Sequence, residues 1–144
     1  MKEEDIQSIR EFNRFYTNVI GLIDQHLLDS PYSLPEARVL YELYHHQPCT
    51  SSDITTILQI DKGYLSRILA QFSKNKLIVK KQSKEDARAS QLLLTAKGEA
   101  EFKKINLSSI RQIKDMVNDL TATNRSQLLT HMKGIQKILS TEVK

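Results

Sequence analysis

One cysteine, no tryptophan, three prolines and four glycines are spread over 144 residues, and aromatic residues make up only 6%. Each shortage removes a class of structure. With Cys49 alone there is no internal disulfide framework, so a reducing, cytoplasmic location is expected. So few glycines, prolines and aromatics disfavour a strand-rich fold and favour helices joined by short turns. No run of about 18 apolar residues occurs, so no membrane span is expected. The opening Met1-Lys2-Glu3-Glu4-Asp5 is too acidic for a signal peptide. A glycine-rich phosphate loop is missing, as is any nucleophile-base pattern among the Asp, Glu and His residues, so the chain does not read as an enzyme and no cofactor is expected. His45-His46, with His26, lack a cysteine or acidic residue at ligand spacing on one helix face, and read as surface histidines near a helix end.

What is present is hydrophobic periodicity and a localised positive charge. At 40% hydrophobic content the length suits one domain with a real core. The net charge is +4, but residues 61–91 hold eight basic side chains against three acidic ones, a local net of +5, while the other 113 residues sum to −1. A cationic segment in an otherwise balanced chain is the electrostatic footprint of a nucleic-acid reader.

From about Asp5 to Leu28 apolar residues recur at Ile6, Ile9, Phe12, Tyr16, Val19, Ile20, Ile23 and Leu27, which predicts a long helix. Asp29-Ser30-Pro31 ends it, and Ser33-Leu34-Pro35 opens a second helix with Ala37, Val39, Leu40, Leu43 and Tyr44 inward. Thr50-Ser51-Ser52-Asp53 resembles a capping box with Asp in place of Glu, before a short helix that turns Ile54, Ile57 and Leu58 inward. Gln59-Ile60 makes a turn, and Asp61 caps a helix with Leu65, Ile68, Leu69 and Phe72 on one stripe. Gly63, Ser66, Arg67, Ala70 and Lys74 fall on the opposite side. That outer face is small, hydroxylated and cationic, and a helix of about 10 to 12 Å diameter with such a face fits a major groove.

Two strand-like runs follow, Leu77 to Gln82 and Ser90 to Leu94, separated by the polar stretch 83–89. A helix-turn-helix followed by a hairpin is a winged helix. Thr95 caps a long helix through Ala100, Ile105, Ile110, Ile113, Val117 and Leu120, and Thr121 caps a last one with Leu128, Leu129, Met132, Ile135, Ile138 and Leu139 inward. The expected fold is mainly α with a small β-hairpin wing. The first and last helices carry more apolar surface than a monomer of this size leaves to water, which predicts a homodimer formed through the N- and C-terminal helices.

These residues carry a family likeness over essentially the whole chain. The recognition segment Asp61-Lys62-Gly63-Tyr64-Leu65-Ser66-Arg67, the wing motif Asp86-Ala87-Arg88 and the phrase Leu94-Thr95-Ala96-Lys97-Gly98 resemble the MarR family of bacterial winged-helix transcription regulators. Phe12-Asn13-Arg14-Phe15-Tyr16-Thr17 and the segment Ser33 to Leu43 are similar to MarR-type domains fused to GNAT acetyltransferases. The resemblance implies one domain over 1–144, with a DNA-binding core at about 35–95 and dimerisation helices at about 5–28 and 96–143. It implies a repressor that binds a near-palindromic double-stranded operator and is modulated by a small-molecule effector. The residues placed on DNA are Lys62, Gly63, Tyr64, Ser66, Arg67, Lys74, Lys84, Asp86 and Arg88. Arg88 would enter a narrow minor groove with Asp86 orienting its guanidinium, although the two are also readable as one more exposed ion pair.

The family's effector pocket would involve Tyr16, Ile20, Tyr32, Arg38, Tyr41 and His45, which are equally readable as packing residues of a dimer interface. Cys49 reads as a semi-buried thiol rather than a redox sensor. A competing reading is a regulatory or dimerisation module working with a separate acetyltransferase; the charge of residues 61–91 separates the two, because protein contact does not require it.

Overall fold

A computed structural model describes residues 1–26, 30–82 and 90–142 of the chain. Leu27, the Ile23 side chain, and the wing-tip residues Lys84, Asp86 and Arg88 lie outside what is described. In chain order the elements are α1 (Glu3–His26), α2 (Leu34–His46), α3 (Ser51–Leu58), α4 (Lys62–Lys74), β1 (Ile78–Gln82), β2 (Ser90–Leu94), α5 (Ala96–Val117) and α6 (Ala122–Glu142). The chain divides into two units, Met1–Ser109 and Ile110–Lys144.

Helix boundaries in the first unit are set by side chains that satisfy the free N–H groups of the first turn. Ser33 caps α2 in a reciprocal box, with its hydroxyl accepting from Glu36 N and the Glu36 carboxylate accepting from Ser33 N. Thr50 and Asp53 form the same box at α3. The Asp61 carboxylate accepts from Tyr64 N at 2.9 Å and starts α4. Gln59, at φ 49° and ψ 39°, supplies the left-handed residue that reverses the chain between α3 and α4. At the other end of α4, Lys76 N bonds to Ser73 O and Leu77 N to Phe72 O, the paired bonds of a Schellman ending with Lys76 at φ 60°.

The core of this unit sits where the helix-turn-helix meets the hairpin. Val39, Leu40 and Leu43 of α2, Ile54 of α3 and the α4 stripe are buried, and Leu77, Ile78, Leu92 and Leu94 close it from the hairpin side. Fully burying one such side chain is worth about 1.5 to 3 kcal/mol. The expected α4 stripe is therefore the stripe observed. Other expectations fail: α5 ends at Val117, short of Leu120, and Leu129, Ile135, Ile138 and Leu139 of α6, expected inward, are exposed in the single chain. Ile57 is exposed, because Ile54 and Leu58, one turn apart, already define the inward line of an eight-residue helix and Ile57 falls off its edge. Ala100 is also exposed; the inward line of α5 is Gly98, Phe102 and Ile105.

β1 and β2 are antiparallel, in a register running from Ile78 opposite Leu94 to Gln82 opposite Ser90. Cys49 adds a two-bond bridge to the far side of β2, with Leu92 N donating to Cys49 O at 2.7 Å and Cys49 N to Leu92 O at 3.3 Å. Thr95 caps α5, its hydroxyl accepting from Gly98 N. The backbone at Gly98 runs so close to Leu77 that an added Cβ would collide with the Leu77 carbonyl oxygen.

α1 contributes little to this core: Ile6, Ile9, Phe12, Phe15 and Ile20 are all exposed, Phe15 by 64%. In the second unit Thr121 caps α6 through Asn124 N. Leu129, Ile135, Ile138 and Leu139 of α6 are exposed too, Ile138 by 64%. Among the described residues no helix is long and apolar enough to cross a membrane.

Candidate nucleic-acid interface

The buried stripe of α4 turns the opposite face outward. Lys62, Gly63, Ser66, Arg67, Ala70 and Lys74 are all exposed, and Tyr64 is 38% exposed at the same end as Lys62. Six of the nine residues expected on DNA thus lie on the exposed side of one helix, from its first residue to its last turn. Small residues at Gly63 and Ala70 keep that face low, so a partner surface can approach the backbone while Ser66 and Arg67 reach it. The remaining three expected residues, Lys84, Asp86 and Arg88, lie outside the described residues.

Beside this face is a groove of about 690 Å³ between α3, α4 and the hairpin. Lys62 and Ser66 border it from α4, and Lys80 and Ser90 from the hairpin. The start of α3 closes the third side with Ser51 and Ser52, and buried Leu65, Leu69 and Leu92 form part of the wall. Ser51, Ser52, Lys80 and Ser90 were not singled out from the sequence. Local periodicity gives each a polar, outward position, but nothing in it brings residues forty positions apart to one groove.

The six effector-pocket candidates are distributed over several contacts. Tyr41 and His45 are in ring contact at 4.3 Å, and both lie about 6.0 Å from Phe102 of α5. Tyr44 stacks on Phe102 at 4.3 Å. Phe102 and Tyr44 are thus the centre of an aromatic cluster of which sequence reasoning singled out only the rim. Tyr32 meets Phe72 edge-on and is half-buried; burial first, then the Glu101 carboxylate and a hydrogen bond to it, push its phenol up from the ordinary value. Tyr16 stacks on Phe12 of its own helix, Ile20 is at the surface, and Arg38 is exposed.

Cys49 is buried beneath β2, and burial, with a smaller effect from the Asp53 carboxylate, pushes its thiol up. A thiol held protonated is a poor nucleophile. His46 contacts Glu42 at 3.1 Å, one turn away, so an acidic side chain does share its helix face, contrary to the expectation from the sequence. Among the described residues no group of three or more His, Cys, Asp or Glu side chains is placed to hold a metal ion.

Residues 32–90 match the MarR family model. Over 71 residues the chain is 32% identical to the HTH-type transcriptional regulator BilQ of Clostridioides difficile (strain CD3), a match that spans 48% of this chain and about half the length of that relative, 48%. Among solved structures, a MarR family transcription regulator superposes with a TM-score of 0.83 at 17% identity, covering 96% of this chain and 92% of the other. A variant of S. aureus MepR bound to an oligodeoxyribonucleotide superposes with a TM-score of 0.62 at 20% identity, covering 92% and 97%. The matched segment begins just ahead of α2 and ends at the first residue of β2, so it contains the helix-turn-helix and the hairpin's first strand.

Proposed function

We propose that this chain, whose residues 32–90 match the MarR family model, is a homodimeric, sequence-specific double-stranded DNA-binding regulator of transcription that represses its target and is released by a small ligand. The observation that carries the reading is the division of α4: its apolar stripe is buried in the core, and the face left outward holds Ser66, Arg67 and Lys74 with no bulky aliphatic side chain. A helix whose only task was packing would have no need of a clean cationic face. The oligonucleotide-bound MepR variant, a protein of the same fold, gives the reading independent support.

In the proposed complex α4 lies in the major groove. Ser66 and Arg67 address base edges and phosphates, and Lys62 and Lys74 neutralise phosphates at its two ends. Lys84, Asp86 and Arg88 extend the contact from the wing, with Arg88 directed to a minor groove. Dimerisation covers the apolar side chains that α1 and α6 expose in the single chain, including Phe15 and Ile138. Two copies of α4 then address successive major grooves roughly 34 Å apart, which calls for a near-palindromic site. An effector seated near the Tyr41, His45 and Phe102 cluster would bias that spacing.

The test is selection of genomic fragments by the purified protein, followed by sequencing and footprinting of the enriched site. A footprint with two-fold symmetry and two protected half-sites one turn apart is expected. Recovery of no enriched sequence at moderate salt overturns DNA reading. Sedimentation that gives a stable monomer at micromolar concentration overturns the dimer, as does an Ile135→Asp variant that remains fully dimeric.

A further inference from the structure

The carboxamide of Gln47 joins three elements. Its Oε1 accepts from Leu94 N at 2.9 Å, at the end of β2, and its Nε2 donates to Tyr44 O at 3.4 Å in the last turn of α2 and to Glu99 Oε1 at 3.5 Å in the first turn of α5. We propose that Gln47 is a positioning residue for the wing: it touches no DNA, yet it fixes the direction in which the hairpin stands beside α4, and with it the reading of the outer minor groove. The inference rests on the proposed DNA binding and adds to it a residue outside the contact surface.

Strand register explains why a side chain does this. Cys49 pairs antiparallel with Leu92 through both backbone bonds, so a continuing strand would set residue 47 opposite Leu94. The backbone of Gln47 is already committed to the end of α2, its N–H donating to Leu43 O at 2.9 Å. The side chain therefore supplies the acceptor that Leu94 N would have found on a third strand. A carboxamide suits the place because it carries an acceptor and donors on one planar group, and Leu94 N, which can only donate, fixes which end faces the strand. Gln47 and Glu99 are both half-buried, which limits the replacement of these bonds by water.

Two anchors define a direction where one leaves a pivot. Burial of Leu92 and Leu94 holds the hairpin to the core, but apolar burial is not directional. The Cys49 bridge fixes β2 at Leu92, and Gln47 fixes it two residues on, about 7 Å along the strand. The second anchor is itself held by both helices of the aromatic cluster. Tyr44, whose carbonyl it bonds, stacks on Phe102, and Glu99 precedes Phe102 by one turn of α5. A displacement of α2 against α5 at that cluster would reach the wing through this amide.

The test uses the full chain as wild type, as Gln47→Met, which keeps the side-chain length and removes its hydrogen bonds, and as the exchanged pair Gln47→Glu with Glu99→Gln. The pair restores an acceptor for Leu94 N and a donor facing it from position 99 at unchanged net charge. Gln47→Asn, one methylene too short to reach Leu94 N from the same backbone, is the second variant should the methionine fail to fold, which melting curves report. Each protein is titrated against the selected operator, against operators changed at the outer A·T steps, and against operators changed where α4 reads; amide exchange at Leu94 is followed by NMR. Gln47→Met should exchange faster at Leu94, bind operator roughly tenfold more weakly, and lose the outer preference while keeping the preference at the α4 positions. The exchanged pair should recover slow exchange and the outer preference. A chain that is merely destabilised would bind every duplex more weakly by one factor and keep both preferences, and that result would overturn the proposal. So would Gln47→Met with wild-type preferences, or an exchanged pair as weak as Gln47→Met. Wild type that shows no outer preference overturns the positioning role while reading by α4 stands, and wild type that binds no duplex overturns the DNA reading itself.

Discussion

The guanidinium carbon of Arg67 lies 5.9 Å from the centroid of the Tyr64 ring, three residues earlier on the exposed face of α4. The ring holds the arginine's planar fork over the helix N-terminal half, where the groove-facing side chains are concentrated, and a cation over an exposed ring is worth about 0.5 to 1 kcal/mol. In the proposed complex, an Arg67 already resting on the Tyr64 ring would lose less rotamer entropy on contact with DNA.

Arg67→Ala should cost about 1 to 3 kcal/mol on operator and relax base preference at one position in each half-site. Arg67→Lys should not restore that preference, because an ammonium lacks the bidentate geometry that reads a guanine edge. Measuring the affinity of the two variants on a panel of single-base operator changes checks both statements. A uniform loss across the panel would reassign Arg67 to a phosphate.

Gly98→Ala should be strongly destabilising, by about 2 to 4 kcal/mol in urea unfolding. Its methyl would meet the Leu77 carbonyl, which is already fixed as the acceptor of Thr95 N at 2.9 Å, and would lie 3.1 Å from Leu94 Cδ2. Neither neighbour can move without opening the junction between β1 and α5. A midpoint equal to wild type would mean that the two elements separate easily.

Gln59→Gly and Lys76→Gly should each raise stability by about 0.5 to 1 kcal/mol, read as a higher thermal midpoint. Both residues occupy the left-handed region, at φ 49° and 60°, where a Cβ is disfavoured. Gly gives back part of the gain by loosening the unfolded chain, so the net effect is modest. The two sites flank α4 at opposite ends, and their effects should add.

The Cys49 thiol and the Tyr32 phenol are both pushed up from ordinary values of 9.0 and 10.0. Well below pH 9 folded and unfolded chains hold both protons, and stability is indifferent to these groups. As the pH rises past these values the unfolded chain releases protons first, so the two groups draw stability down on the alkaline side. Unfolding midpoints measured from pH 8 to 11 should therefore fall, and Cys49→Ser should not be read as a clean control because it places a hydroxyl in an apolar site. At pH 8 a thiol reagent should label Cys49 in urea far faster than in the native protein.

The parts of this fold legible in the sequence were those written locally. Asp61, Thr95 and Thr121, and the Thr50-Asp53 box, all announce helix starts within four residues, and each is in place. The α4 stripe was equally plain because its spacing matches the helical repeat. Phe102 was not, because its partners Tyr41, Tyr44 and His45 lie on a different helix and no periodicity within α5 indicates them. The same limit hid the groove: Ser51, Lys80 and Ser90 are ordinary polar residues until the chain folds them around one space. Of the site, the helix face could be read and the concavity beside it could not.

The bridge from Cys49 to Leu92 makes β2 the inner strand, since it bonds to neighbours on both sides, and leaves β1 with β2 as its only strand partner among the described residues. An unpaired strand edge is a template for association with other chains, and cationic side chains are a common protection against it. Lys80 and Lys81, both exposed on β1, supply that protection. The charge that would attract a duplex therefore also keeps this edge from pairing with another copy, so neutralising both lysines would lower colloidal stability as well as DNA affinity.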